Sequence, residues 1–231
     1  MELLPQIHLI EGVSSNAYLI VEPDGLTVID TGLPGSAPNI LAYIRQIGRD
    51  PHEVRHLLLT HQHIDHVGGA AALAAATGAE VIAHPLDTPA IEGKGKRELA
   101  GGFRRPLLLV MVPLTLKPVR VSHQVRDGET LPILTNDGQF QVVETPGHTS
   151  GHMSFYLPAR RLLFVGDAYR HEGERITEMF PGANTDTAQA RHTVAEVAKR
   201  LDIEASLPGH GQPILTGAGA KLAELTKTLS R

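Results

Sequence analysis

His61-Gln62-His63-Ile64-Asp65-His66 places four metal-ligand side chains within six residues, directly after the apolar run Leu57-Leu58-Leu59. A buried strand that ends this way delivers imidazoles and a carboxylate into one small volume. His61 and His63 are two apart, so in an extended segment both side chains face the same way and can reach one ion. Asp65 and His66 follow where the chain turns into a helix led by Gly68, and they can seed a second ion. Three more residues of ligand type stand at turns: His148 in Thr-Pro-Gly-His, Asp167 in Val-Gly-Asp and His210 in Pro-Gly-His-Gly. Each follows an apolar, strand-like run. Seven such residues in this order point to a metal centre.

Outward from the hexapeptide, the sequence reads as irregularly alternating strands and helices. Ile7 to Asp30 reads as antiparallel strands with turns at Glu11-Gly12 and Pro23-Asp24-Gly25. Ser36 is expected to cap a helix over 37–47, where Ile40, Leu41, Ile44 and Ile47 share a face. Val54 to Leu59 is a buried strand, Gly68 to Thr77 a helix stopped by Gly78, and Glu80 to Ala83 a further strand. Strands are expected at 119–125, 140–144, 152–157 and 161–165, with Pro158-Ala159-Arg160 turning a hairpin. Asp186 with Gln189 resembles a capping box for a helix to Leu201, and a last helix spans about 218–229. Mixed strand directions and the absence of a linker suggest one domain, with sheets inside and helices outside.

The totals narrow the function class. The 231 residues suffice for one large domain, and 42% hydrophobic with 20% charged residues is ordinary for a globular protein. A net charge of −4 implies no general attraction to nucleic acid. With no cysteine, any metal must be held by nitrogen and oxygen. The N-terminus does not read as a signal peptide, and the apolar window 106–116 is too short to span a bilayer, so a cytoplasmic location is expected. One segment departs from the average. Lys94, Lys96, Arg97, Arg104, Arg105, Lys117, Arg120 and Arg126 face a single acid, Glu98, giving a local +7 and leaving −11 for the remainder. This segment also carries the run Leu107-Leu108-Leu109-Val110-Met111-Val112. It reads as a charged face over a core strand, a partner contact in a homodimer, or a cap over the site that accepts an anionic substrate with an apolar tail.

Together, His-x-His-x-Asp-His, then Thr145-Pro146-Gly147-His148-Thr149-Ser150-Gly151-His152, then Gly166-Asp167 and Gly209-His210, resemble the metallo-β-lactamase superfamily. Asp30-Thr31-Gly32 before the first helix fits as well. The resemblance implies an α+β fold, a four-layer αβ/βα sandwich, as a single domain over 1–231 with a cap or insert around 86–120. It implies that His61, His63 and His148 hold one ion, that Asp65, His66 and His210 hold the other, and that Asp167 bridges them. The expected cofactors are two divalent ions, zinc foremost, with iron or manganese also suited to the donors.

A hydroxide bridging two such ions would attack a small-molecule substrate at an ester-like bond, a thioester or lactone, as in the glyoxalase II-like and lactonase-like branches. Asp65 and Tyr169 are the candidate catalytic residues. Acyl-homoserine lactonases place a tyrosine three residues after the bridging aspartate, where this chain has Arg170, so Tyr169 either meets substrate or packs. The alternative activity is that of a mononuclear iron enzyme resembling persulfide dioxygenases, with ligands at His61, His148 and Asp167. His152 is expected to support its turn, and Asp30 either to orient a ligand histidine or to cap a helix or turn.

Overall fold

A computed structural model describes residues 1–98, 116–135, 138–180 and 182–229. These divide into two compact units, one holding 1–97 and 116–125, the other holding 98 and 126–229.

The first unit is built on a seven-stranded sheet, β1 (Glu2–Leu4), β2 (Ile7–Ile10), β3 (Ala17–Val21), β4 (Leu26–Ile29), β5 (Val54–Leu58), β6 (Glu80–Ala83) and β7 (His123–Gln124), in that spatial order. β1 to β4 run antiparallel, while β4, β5, β6 and β7 are parallel. The registers Val28↔Leu57 and Leu57↔Val81 align apolar side chains across the parallel strands. Such continuous apolar runs suit strands covered on both faces. Helices α1 (Ala37–Gln46), α2 (Ile64–Val67), α3 (Ala70–Thr77) and α4 (Thr88–Ile91) supply the connections. Ile40, Ile44, Ala70 and Leu73 join Leu19, Val28, Leu57 and Val81 in one buried cluster. Because β4, β5 and β6 are parallel, their C-terminal ends share an edge, and Asp30, Thr60-His61 and His84 all leave from that edge.

The second unit carries a five-stranded sheet. β8 (Thr130–Thr135), β9 (Gly138–Glu144), β10 (Met153–Leu157), β11 (Leu162–Gly166) and β14 (Ala205–Pro208) stand in the order β14-β11-β10-β9-β8. β8 to β11 alternate in direction, and β14 runs parallel to β11. β9, β11 and β14 therefore point the same way, so the turns carrying His148, Asp167 and His210 leave one edge of this sheet. β12 (Arg170–Glu172) and β13 (Arg175–Thr177) form a separate hairpin. Helices α5 (Thr187–Arg200) and α6 (Ala218–Leu229) bury Val194, Val197, Leu222 and Leu225 against Leu163, Val165 and Tyr169.

Most expected elements are present, with instructive differences. Ser36 does not cap α1 with its side chain: its own backbone is already helical, and Pro38 opens the helix. The strand expected at 119–125 shrinks to His123–Gln124, because Val119 donates to Ile91 O and Ser122 to Val81 O in irregular bonds ahead of it. Asp186 caps α5, accepting the Gln189 N–H at 2.9 Å, but the expected box is half formed: the Gln189 side chain donates to Thr193 Oγ1 and the Asp186 N–H to Gly147 O. Of the segment 86–120, residues 99–115 lie outside the described residues, Arg104, Arg105 and the run Leu107–Val112 among them. Among the described residues, no helix is long and apolar enough to cross a membrane.

Candidate metal centre

In the first unit, Asp30 organises the hexapeptide. It follows β4 in the left-handed region (φ +59°) and is 2% exposed. Its Oδ1 accepts the Thr60 N–H at 2.9 Å, and its Oδ2 accepts the Thr60 hydroxyl at 2.7 Å and His66 Nδ1 at 2.8 Å. An ionised carboxylate only accepts, so the His66 proton sits on Nδ1 and its lone pair on Nε2. Thr60 spends its single hydroxyl proton on Asp30 and therefore accepts from His61 Nδ1 at 3.0 Å, which puts the His61 lone pair on Nε2 too. The His61 ring centroid lies 4.1 Å from that of His66 and 4.7 Å from that of His63. Asp65 Oδ2 stands 3.8 Å from His66 Nε2. The hexapeptide thus gathers its four ligand-type side chains, and Asp30 orients the His66 ring.

Gln62, between the two histidines, explains how the segment keeps its shape. Its N–H and its side-chain amide both donate to the fully buried carboxylate of Asp87, at 2.8 and 3.0 Å. Its carbonyl accepts from Arg97 Nη1 at 3.1 Å, while Arg97 Nη2 donates to Ala90 O at 2.8 Å. Burial lowers the Arg97 pKa from its usual value. Neither Asp87 nor Arg97 stands in a ligand-like motif, so the sequence reading passes over Asp87 and counts Arg97 only as a cation of the basic segment.

In the second unit, His148 sits on a turn that Gly147 opens at φ +128°. His148 Nδ1 is 3.2 Å from Asn184 Oδ1, and its Nε2 is 3.3 Å from Asp167 Oδ2. His210 Nε2 lies 3.4 Å from the same Oδ2. An amide oxygen accepts, so a neutral His148 carries its proton on Nδ1 and turns a lone pair toward a carboxylate oxygen. Two acceptors held face to face repel unless a cation joins them, so this donor set fits a metal ion. His148 and Asp167 are buried, whereas the His210 side chain is 29% exposed.

Tyr169 takes the packing role of the two left open. Its side chain is completely buried, and its hydroxyl is 3.1 Å from Ser206 Oγ. Ser206 Oγ in turn is 3.2 Å from His171 Nε2, and His171 Nδ1 donates to Gln212 O at 2.7 Å. Burial raises the Tyr169 phenol and pushes His171 down to about 4. A neutral His171 whose Nδ1 proton goes to a carbonyl takes the Ser206 proton on Nε2, and Ser206 then accepts from Tyr169. Enclosure of the whole ring favours packing over contact with substrate.

Arg170 stacks its guanidinium 4.1 Å from the Phe180 ring centroid and donates from Nε to Glu178 O at 3.1 Å. Phe180 and Glu178 belong to the wall of a cavity of about 920 Å³ between the β12–β13 hairpin and the helices α5 and α6. Ile176, Met179 and Leu225 supply apolar surface there, the cations Arg175, Arg191 and Lys221 stand among the acids Glu174, Glu178 and Glu224 with Arg191 paired to Glu178 and Lys221 to Glu174, and Asn184 ties the wall to His148.

Known proteins resemble this chain. A probable metallo-hydrolase of Bacillus subtilis (strain 168) is 29% identical over 94% of this chain and 88% of its own length. A hydroxyacylglutathione hydrolase of Rhodobacter capsulatus is 30% identical over 70% of this chain and 52% of its own, so the match spans about half of that relative. A metallo-beta-lactamase of Cronobacter sakazakii superposes with a TM-score of 0.76 over 100% of this chain and 90% of its own, at 21% identity, a likeness of fold alone. The fold is accordingly the α+β metallo-β-lactamase fold. The model of the metallo-beta-lactamase superfamily matches residues 10–210, a span that takes in every ligand-type residue from His61 to His210, and the chain belongs to that superfamily.

Proposed function

We propose that this protein is a dinuclear metal-dependent hydrolase of an ester-like bond, a thioester or a lactone. In this reading His61, His63 and His148 hold one divalent ion, Asp65, His66 and His210 hold the other, and Asp167 is shared. The observation that carries it is the single oxygen Asp167 Oδ2 lying 3.3 Å from His148 Nε2 and 3.4 Å from His210 Nε2, the place a bridging carboxylate must take. Zinc is the foremost candidate, and iron and manganese suit the same nitrogen and oxygen donors. Bound ions of this kind supply an activated water near neutral pH and polarise the carbonyl under attack. The chain's own residues do the rest. Asp30 and Thr60 hold the ring tautomers of His66 and His61, Asp87 and Arg97 hold the peptide between the histidines, and Asp65, its side chain 32% exposed, is placed to accept a proton.

The substrate class draws on two supports. The hydroxyacylglutathione hydrolase relative bears a thioester in its name. The cavity beside Asn184 offers apolar wall from Ile176, Met179 and Leu225, which suits the apolar tail of a substrate. The test is metal quantitation on purified protein joined to a screen of thioesters, lactones and phosphoesters. Two ions per chain and hydrolysis that chelation abolishes and zinc, manganese or iron restores are expected. Chelator-insensitive hydrolysis contradicts the reading, and one iron per chain with oxygen uptake replaces it with dioxygenase chemistry.

A further inference from the structure

His152 lies four residues beyond His148, outside the proposed ligand set, and is completely buried. Its Nε2 accepts the backbone N–H of Asp167 at 2.8 Å. A backbone N–H only donates, so the lone pair of Nε2 points at that peptide and the proton of the ring sits on Nδ1. Nδ1 lies 2.7 Å from Thr145 Oγ1, which therefore accepts from it. Ser154 Oγ donates to Val165 O at 3.1 Å, so the Thr145 hydroxyl donates to Ser154 across 3.0 Å. The chain of hydrogen bonds begins at residue 167 and ends at residue 165, and Thr145, His152 and Ser154 are each at most 1% exposed. Between those two ends, Gly166 turns at φ +55°, and its carbonyl accepts the Gly209 N–H at 2.8 Å, one residue before His210.

We propose that His152 is a positioning residue for the shared carboxylate and not itself a metal ligand. It fixes the Asp167 peptide from the N–H side while Gly209 fixes the preceding carbonyl, and the two together aim Oδ2 between the His148 and His210 rings. The proposal rests on the reading of Asp167 as a metal ligand. It differs from simple support of the turn in one respect: the acceptor at the Nε2 position matters, and the ring does not.

The pair His152→Gln and His152→Asn separates these. Glutamine carries an amide oxygen near the position of Nε2 and keeps the acceptor for Asp167. Asparagine reaches only the position of Nδ1, so it can donate to Thr145 but leaves the Asp167 N–H without its acceptor. Zinc affinity, measured by competition with a chromogenic chelator, is expected to fall about 10- to 100-fold in His152→Asn, the usual cost of losing an outer partner of a ligand. His152→Gln is expected to stay near the unsubstituted protein. Equal losses in the two variants overturn the proposal while leaving the metal site in place. An unsubstituted protein that takes up no zinc overturns the ligand reading of Asp167, and the positioning role with it. Ring nitrogen NMR of the metal-free, unsubstituted protein decides the matter if neither variant folds. A proton on Nδ1 with Nε2 bare is expected, and a proton on Nε2 overturns the proposal.

Discussion

Asp87 holds the backbone of the hexapeptide His61–His66 from 25 residues away. Replacing it with alanine removes the acceptor for two buried donors of Gln62, each of which then carries a desolvation cost of about 1–3 kcal/mol. Asp87→Ala is therefore expected to lower stability by about 2–6 kcal/mol, read as a shift of the urea midpoint, and to weaken metal uptake by the same loss of order at His61 and His63. A variant with the original midpoint would show that Gln62 finds water instead. The contrast with the ligands is instructive. Histidines two apart after an apolar strand announce themselves, because their spacing alone aligns them. Asp87 and Asn184 serve the site through bonds to residues 25 and 36 positions distant, and a solitary aspartate or asparagine has no spacing to read. Far from the ligands, Glu22 is 5% exposed and accepts the Thr27 hydroxyl at 2.5 Å. Burial raises its carboxyl pKa, with the Thr27 bond opposing in part. A folded pKa above the unfolded one means that the folded state binds more protons. Its stability contribution is thus greatest below the ordinary carboxylate range and is lost as pH rises through the raised value. Glu22→Gln is expected to gain stability over the parent at neutral pH and to lose that advantage near pH ~4. Urea midpoints of both proteins at the two pH values check the sign.

At the scale of elements, the turn of His148 and helix α5 are locked together. The Gly147 carbonyl accepts from the Asp186 N–H at 2.9 Å and the Thr185 hydroxyl at 3.1 Å, and the Thr193 hydroxyl donates to Pro146 O at 2.7 Å. A Cβ on Gly147 would stand 2.3 Å from Ala190 N and 2.4 Å from its Cα, at a φ that side chains rarely adopt. Gly147→Ala must therefore push α5 away or bend the turn. It is expected to cost about 3 kcal/mol or more in unfolding free energy, and to displace His148 enough to lower metal stoichiometry. A stable alanine variant with full metal content would contradict this account. The strands before His148 and Asp167 were legible because each is an apolar run closed by Pro-Gly or Gly-Asp. The hairpin Arg170–Glu172 with Arg175–Thr177 was not. Its sequence alternates charged residues with few apolar ones, and only the positive φ of Gly173 (+57°) marks the turn. β14 was read only as a strand-like run ahead of His210 and given no bounds, since Ala205-Ser206-Leu207-Pro208 is short, and its burial comes from pairing with β11.

At the scale of the whole chain, the proposed ligands come from the hexapeptide and from three turns as late as residue 210, and an unfolded chain does not gather such a set. Ions that bind only the folded protein stabilise it by mass action, about 2.7 kcal/mol per site at a free concentration near 100 times Kd. For a chain of 231 residues, each kcal/mol moves Tm by roughly 2–4 °C, so one filled site is expected to raise Tm by about 5–10 °C and a second to add further. Stripping the protein with a chelator should lower Tm by that amount, and titrating zinc back should restore it, with the rise complete at two equivalents if both sites are real. His210→Ala separates the sites. It removes a proposed ligand of the second ion that is the most exposed of the three in its unit, so its own packing cost is small. The variant is expected to keep the first increment of Tm and lose the second. A His210→Ala protein that still gains both increments would remove His210 from the centre, and a parent whose Tm ignores zinc would remove the centre itself.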